Sequence, residues 1–217
     1  MTQEPSHGPE HAGDPANEPP DLDAGGAHGR GQPGTVLRYN PRTGQRHLDE
    51  LIWGLLPHNT ANPDMALRPI NARAETVVTH PLFASAFRDR RAIIPMSVYY
   101  QGRRTEGSKE VFSISRKDGE PMAVAGLWEA FRWPDGAITR TYCIITVEAN
   151  SVISPIHDRM LLVLDKADWP LWLGELPGDP SLLLRPTAPE ILQCKPASGG
   201  RRKSQRRLFR WSKDDRT

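Results

Sequence analysis

Two short segments of this 217-residue sequence concentrate side chains that can do chemistry. Residues 70–76 read INARAET, and residues 156–160 read IHDRM. An asparagine amide orients a substrate through hydrogen bonds, an arginine guanidinium matches a phosphate group, and a histidine imidazole moves protons near neutral pH. These residue types therefore suit a site that binds a polar or anionic substrate and transfers protons.

Each segment taken alone also has a purely structural explanation. Asn71, Arg73 and Glu75 could lie in a polar turn and bond to the backbone, which is the common fate of such side chains. An isolated histidine such as His157 is more often a surface residue than a catalytic one. The two short segments by themselves leave both interpretations open.

A larger pattern appears when four segments are considered in order. They are 53–57 (WGLLP), 70–76 (INARAET), 125–129 (AGLWE), and 144–150 (IITVEAN) leading into 156–160 (IHDRM). Their order and spacing resemble the SRAP family, the SOS response-associated peptidases or abasic site processing proteins. The resemblance covers about residues 36–187, which is most of the part expected to fold.

The resemblance implies a compact, β-rich α+β domain with an antiparallel or barrel-like sheet, short helices and a basic cleft for single-stranded DNA. In such proteins a cysteine at the mature N-terminus attacks the ring-opened sugar of an abasic site and forms a thiazolidine cross-link. The same amine and thiol support a peptidase reaction and a β-lyase reaction. An asparagine, a glutamate and a histidine assist, and neither a cofactor nor a metal is implied.

Position by position, the resemblance assigns catalytic roles to Asn71 and His157. The amide of Asn71 would orient the sugar or the nucleophile, and His157 would assist ring opening. The implied DNA-binding residues are an aromatic residue of the cleft, two phosphate-binding arginines and a hydroxyl beside the pocket, namely Trp53, Arg73, Arg159 and Thr146.

Two departures from the family pattern concern the chemistry directly. The family begins Met-Cys-Gly-Arg, whereas this sequence begins MTQE and its first cysteine is Cys143, which lies in a strand pattern typical of core. The family block that ends Tyr-Glu-Trp corresponds to residues 94–102, where Gln101 occupies the position of the catalytic glutamate. Glutamine does not exchange protons as a carboxylic acid does, so we expect cross-linking, autopeptidase and lyase activity to be lost.

Three other hypotheses remain open from the sequence. The chain could be an intact SRAP enzyme whose recorded start is misplaced, which upstream genomic DNA encoding Met-Cys-Gly-Arg would reveal, although this does not explain Gln101. It could be a non-enzymatic nucleic-acid-binding module that uses its basic tail. It could also be the product of a decayed gene that folds poorly because strands are missing at its ends.

The charge distribution divides the chain into three parts. Residues 1–34 hold six acidic residues against one arginine, are rich in glycine and proline, and are predicted to form a disordered arm. Residues 195–217 hold nine basic residues against two acidic ones and are predicted to form a flexible tail. Residues 35–194 are the predicted SRAP-like domain.

Cysteine content and hydropathy set expectations for the location of the protein. Two cysteines far apart in sequence fit a reducing cytoplasm, and the absence of a long apolar run predicts no membrane span. We also expect a monomer that is associated with the nucleoid. The expected partner is single-stranded DNA that contains abasic sites. His7, His11 and His28 lie in the acidic arm and have no metal-ligand spacing.

Local patterns predict mostly strands and few helices. Pro41–Gly44 is a predicted turn, Thr79 a predicted N-cap for a helix ending near Arg90, and Lys117–Gly119 the predicted turn of a hairpin. Residues 165–173 are predicted to be helical, with Pro170 capping or kinking that helix. Strands are predicted at 35–40, 48–56, 92–100, 111–115, 122–131 and 138–147.

Overall fold

A computed structural model describes residues 29–105 and 108–197. Eleven strands and three short α-helices occur in that part of the chain. The strands are β1 Pro33–Asn40, β2 Gln45–Trp53, β3 Asn71–Arg73, β4 Arg91–Met96, β5 Tyr99–Thr105, β6 Ser108–Arg116, β7 Met122–Arg132, β8 Ile138–Glu148, β9 Arg159–Leu161, β10 Val163–Leu164 and β11 Leu192–Pro196. The helices are α1 Ala74–Val77, α2 Ala84–Asp89 and α3 Trp169–Leu173, and 3₁₀ turns occur at Lys166–Asp168 and Pro180–Leu183.

The main sheet closes on itself. Its strands follow the order β7, β4, β1, β2 and β8, and β8 then pairs with β7 to complete a ring. Closure removes most exposed strand edges, which stabilises a domain of this size against edge-to-edge association. The prediction of a β-rich α+β domain with a barrel-like core and short helices is confirmed.

The sequence pattern indicated an antiparallel sheet, but the observed sheet also contains parallel pairs. Both β2 and β3 pair with β8 in parallel. Parallel neighbours need a long crossover connection, and local turn signals do not reveal such a pairing. This difference affects the site directly, because β3 carries part of the INARAET segment.

The core of the ring consists of residues adjacent in register. Leu37 pairs with Ile93, Ile93 pairs with Ala125, and all three are fully buried. Cys143, opposite Leu127, is fully buried as well, which confirms the prediction that this cysteine is a core residue. Burying such apolar side chains is the main favourable contribution to folding.

A second sheet of three strands is built from β5, β6 and β11. The predicted strand 92–100 divides into β4 and β5, which belong to different sheets. The predicted hairpin is wrong as well, because β6 pairs with β5 and β11 while β7 pairs with β4, β8 and β10. The turn at 117–119 is present, but Pro121 follows it and has no backbone N–H to continue a ladder.

The helices begin later than predicted. Thr79 does not cap α2, whose N-cap is Phe83, because residues 81–83 form a turn of their own. In α3, Pro170 lies in the first turn, where its missing N–H costs nothing, and Gly174 ends the helix with a φ of 82°. Trp172 is fully buried and its indole donates to the Ala92 carbonyl oxygen at 2.8 Å, so it is a packing residue as predicted.

The described strands extend the predicted range 35–194 by two residues at each end, since β1 begins at Pro33 and β11 ends at Pro196. The predicted acidic arm and basic tail otherwise lie almost entirely outside the described residues. Within 29–105 and 108–197, no helix combines the length and the apolar composition that crossing a bilayer requires.

Gly126 in β7 gives a test of this packing. A Cβ at this position would meet the Ile94 side chain and lie 2.7 Å from the Cys143 carbonyl oxygen. We expect Gly126→Ala to lower the free energy of unfolding by about 2 kcal/mol or more, because neither neighbour can move freely in a close-packed interior. Urea unfolding measures the effect. Gly29→Ala is the control, because its Cβ would meet nothing, and equal stability of the two variants would contradict the prediction.

Candidate functional site

The C-terminal half of β8 is the frame on which the candidate site is built. β3 runs parallel along one side, with Asn71 opposite Ile144 and Arg73 opposite Thr146. β9 runs antiparallel along the other side, with Arg159 opposite Glu148. Because side chains alternate along a strand and paired residues share a face, one face carries Asn71, Arg73, Thr146 and Arg159. The structure therefore brings together four predicted site residues.

Trp53 pairs with Tyr142 of β8, two residues before Ile144, so the same register places it on this face. Its indole Nε1 donates to the Ile70 carbonyl oxygen at 3.0 Å, and the same oxygen accepts the backbone N–H of Ile144 at 2.9 Å. The Trp53 ring is buried and stacks on Tyr142 with centroids 6.3 Å apart. The sequence predicted that Trp53 lines a DNA cleft, and the structure places it where it holds the residue before Asn71.

Asn71 carries an unsatisfied amide. Both its Oδ1 and its Nδ2 are buried, and neither has a hydrogen-bond partner within the described part of the chain. A buried polar group without a partner costs about 1–3 kcal/mol, so native proteins satisfy nearly all of them. The amide therefore has unused capacity both as a donor and as an acceptor.

Arg159 is held by hydrogen bonds to two residues, Glu75 and Thr146. Its Nη1 and Nη2 donate to the Glu75 carboxylate at 2.7 and 2.9 Å, and Nη2 also donates to the Thr146 carbonyl oxygen at 2.7 Å. The Arg159 side chain is only 15% exposed, and its Nε is buried without a partner in the described residues. Most N–H donors of Arg159, a predicted phosphate-binding residue, are thus engaged by the protein. Its guanidinium is therefore oriented, and its charge is partly compensated by Glu75.

The electrostatics of this face centre on Glu75. Partial burial raises the pKa of Glu75, but the hydrogen bond from Arg159 and the charges of Arg159 and Arg73 outweigh it and hold the pKa below the ordinary value of 4.5. Glu75 is therefore a carboxylate at neutral pH. Its role here was not specified by the sequence pattern beyond its place in INARAET.

His157 lies in the loop between β8 and β9. Its Nδ1 lies 2.9 Å from the backbone nitrogen and 3.2 Å from the carbonyl oxygen of Arg159. The carboxylate of Asp158 is 3.0 Å from the same Nδ1, and the ring is 26% exposed. The ring is thus fixed by backbone contact and remains accessible for proton transfer.

The loop that presents His157 is organised by Asn150. The Asn150 Oδ1 accepts the backbone N–H groups of Val152 and Ile153, and its Nδ2 donates to the Thr187 carbonyl oxygen at 2.8 Å. The Ile153 carbonyl oxygen in turn accepts the N–H of His157 at 3.1 Å. Sequence reasoning gave Asn150 no role, although an asparagine at the start of a loop is a known turn signal.

Gln101 lies on β5 and is 3% exposed. Tyr99, Gln101 and Arg103 share one face of the strand, and Arg103 reaches the Pro155 carbonyl oxygen at 3.5 Å. This face is therefore turned towards the loop that carries His157. The position predicted for the catalytic carboxylate is buried and is occupied by an amide.

A second charged cluster lies on another part of the barrel. Glu129 is 1% exposed, accepts from Arg90 Nη2 at 2.9 Å and lies 3.1 Å from His58 Nδ1. Its register partner Thr141 accepts the backbone N–H of Leu56. Glu129 was predicted to be structural, and its contacts tie three segments of the barrel together. A charged residue within an otherwise apolar strand is the signal that could have revealed the cluster.

Two negative observations limit what else the site can be. Within residues 29–105 and 108–197, no three histidine, cysteine or acidic side chains lie together as metal ligands do. A cavity of about 310 Å³ between β10 and residues 183–188 is lined by none of the predicted site residues. The candidate site is therefore the face that the pairing of β3, β8 and β9 creates, together with the unsatisfied amide of Asn71.

Comparison with known proteins identifies the family. The model of the family described as SOS response associated peptidase (SRAP) matches residues 17–199. The chain belongs to the SRAP family. That match covers well over half of the chain, including every residue of the candidate site.

Several curated SRAP relatives are named abasic site processing proteins. YoqW of Bacillus subtilis is 34% identical over 137 residues, which are 63% of this chain and 61% of the relative. YedK of Escherichia coli is 31% identical over 144 residues, covering 66% and 63% respectively. HMCES of Xenopus tropicalis is 28% identical over 166 residues, covering 64% and 49%. The SRAP chain thus spans less than two thirds of these relatives.

Solved structures confirm the SRAP chain's architecture. A protein from Bacteroides thetaiotaomicron superposes with a TM-score of 0.71 at 23% identity, covering 77% of this chain and 75% of that one. A protein from Bordetella bronchiseptica superposes with a TM-score of 0.67 at 24% identity, covering 77% and 85%. At this level of identity the likeness concerns the fold.

The pKa of Glu75 predicts a pH dependence of stability. A carboxyl group whose folded pKa lies below 4.5 stabilises the protein above pH 4.5, and this contribution is lost as the pH falls through the folded value. We expect Glu75→Gln to lower stability at pH 7 by at most about 1 kcal/mol, because the carboxylate side chain is 47% exposed. Thermal unfolding of both proteins between neutral and acidic pH should show the difference shrinking. A difference independent of pH would contradict the prediction.

Proposed function

We propose that this SRAP chain binds single-stranded DNA at abasic sites on the face formed by β3, β8 and β9, without capturing the sugar covalently. The buried amide of Asn71, which lacks a partner in the described residues, carries the proposal. An abasic sugar has hydroxyl and aldehyde oxygens that match an amide donor and acceptor. Relatives named for abasic site processing support this choice of ligand.

Phosphate binding would fall mainly on Arg73. This residue follows Asn71 by two positions on β3, lies on the same face and is exposed. Arg159 contributes charge from the neighbouring strand, although Glu75 compensates part of it. A phosphate beside the Asn71 amide would therefore meet the exposed guanidinium of Arg73.

The loss of covalent chemistry is supported by residues inside the domain. Gln101 stands where the family pattern has a carboxylate, so the proton carrier expected at that position of β5 is missing. Cys143 is fully buried, and burial raises the pKa of its thiol. Cys194 lies within β11, where partial burial also raises its pKa. Neither cysteine offers a thiolate beside an amine at the candidate site.

These features favour a protein that binds damaged DNA without covalent chemistry. The proposal includes action in the cytoplasm, in association with the nucleoid, as a monomer. Cross-linking, autopeptidase and lyase activities would require the proton carrier and the thiol that are missing in this arrangement. Non-covalent binding needs only the face that β3, β8 and β9 provide.

Binding to abasic DNA is tested with Asn71→Ala. We expect the wild-type chain to bind abasic single-stranded DNA more tightly than intact single-stranded DNA. In the variant the ratio of the two affinities should fall about tenfold, because amide hydrogen bonds contribute about 1 kcal/mol each. Fluorescence anisotropy with matched oligonucleotides measures both affinities. Gln45→Ala removes an exposed amide at the far end of β2 and serves as the control. Equal affinities for intact and abasic DNA in the wild-type chain would sink the proposal.

Covalent capture is tested on a denaturing gel. The 217-residue chain incubated with abasic single-stranded DNA is expected to give no adduct that survives heat and denaturant, and no strand cleavage above background. The physical reason is the missing carboxylate at Gln101 together with the buried thiol of Cys143. A heat-stable adduct would show instead that the chain is an active SRAP enzyme.

A further inference from the structure

We propose that Glu75 is a positioning residue that holds the Arg159 guanidinium in the orientation needed to receive a DNA phosphate. The inference rests on the proposed function and concerns the same face. It assigns a role to an acidic side chain that lies where a negative charge would otherwise oppose DNA binding.

The contact geometry fixes the guanidinium in its plane. The two carboxylate oxygens of Glu75 accept from Nη1 and Nη2 of Arg159 at 2.7 and 2.9 Å, which is a bidentate arrangement. The Thr146 carbonyl oxygen accepts from Nη2 at 2.7 Å on the side of β8. Partners on α1 and on β8 thus hold a side chain that begins on β9.

The same contacts decide which donor remains for a ligand. An arginine has five N–H donors. Both hydrogens of Nη2 are directed to Glu75 and Thr146, one hydrogen of Nη1 is directed to Glu75, and Nε is buried. The second hydrogen of Nη1 is therefore the donor that Arg159 can offer, and its direction is set by Glu75.

The negative charge of Glu75 allows a positioning role to be distinguished from simple repulsion between this carboxylate and the DNA phosphates. A carboxylate beside two arginines weakens the attraction for phosphate, so its neutralisation alone should strengthen DNA binding. If Glu75 orients Arg159, neutralisation should weaken DNA binding, because the guanidinium loses its charged bidentate partner. The two explanations predict opposite signs for the same substitution.

Glu75 is unsuited to the alternative role of a general acid. Arg159 and Arg73 hold its pKa below the ordinary value, so it carries no proton at neutral pH. Its two oxygens are also both occupied by Arg159. Positioning is the role that these contacts permit.

The experiment compares Glu75→Gln with Glu148→Gln in the full-length chain. Glu148 is exposed, lies opposite Arg159 in the β8–β9 register and is not one of its hydrogen-bond partners, so it matches Glu75 in charge and neighbourhood. We expect Glu75→Gln to weaken binding of abasic single-stranded DNA about tenfold. We expect Glu148→Gln to leave affinity unchanged or to raise it slightly.

A double-mutant cycle shows whether Glu75 acts through Arg159. In an Arg159→Ala background, Glu75→Gln should cause no further loss, because there is no guanidinium left to orient. Glu75→Asp keeps the charge on a shorter side chain and should restore part of the affinity lost in Glu75→Gln. Circular dichroism melts establish that each variant is folded before binding is compared.

The outcomes separate the inference from the proposed function. Wild-type protein that fails to bind abasic single-stranded DNA overturns the proposed function and this inference together. Wild-type binding that Glu75→Gln leaves unchanged or strengthens, as Glu148→Gln does, overturns the inference alone. A full loss from Glu75→Gln that persists in the Arg159→Ala background also overturns it.

Discussion

The parallel pairing of β3 with the end of β8 is the constraint on which the candidate site depends. β3 has only three residues, too few to hold a position by its own ladder, and a short strand gains stability mainly from packing around it. The indole of Trp53 supplies that packing, since it bonds to the Ile70 carbonyl oxygen and is itself stacked on Tyr142. Displacing this contact would move Asn71 and Arg73 together.

Two arginine–carboxylate ion pairs contribute to this molecule in different ways. Arg159 is matched by Glu75, and Arg90 is matched by Glu129, in each case by a carboxylate within hydrogen-bond distance. The two pairs differ in burial, because Glu75 is half exposed and Glu129 is almost inaccessible. A buried pair that loses one partner is strongly destabilised, whereas an exposed pair costs little to change. Changing the first pair is therefore expected to cost the fold little, and changing the second to cost it much more.

Strands were easier to predict than their partners. Thr35–Asn40 and Ile138–Val147 were identified from β-branched and aromatic residues, and both lie in observed strands. The hairpin across Lys117–Gly119 failed because a turn signal shows that the chain reverses, not that the flanking strands pair. The N-cap at Thr79 failed because the turn at residues 81–83 delays the helix to Ala84. Which strands pair with each other is decided by burial over the whole domain, and local sequence patterns do not report that burial.

The sequence by itself determined the residue types of the site, the family to which their order belongs, and the replacement of a carboxylate by Gln101. These are properties of single positions and their spacing along the chain. Only the tertiary structure decided that Trp53 supports the site, that Glu75 occupies the Arg159 guanidinium, and that the Asn71 amide is left without a partner among the described residues. Those facts depend on contacts between residues far apart in sequence, whose pairing follows from closure of the barrel.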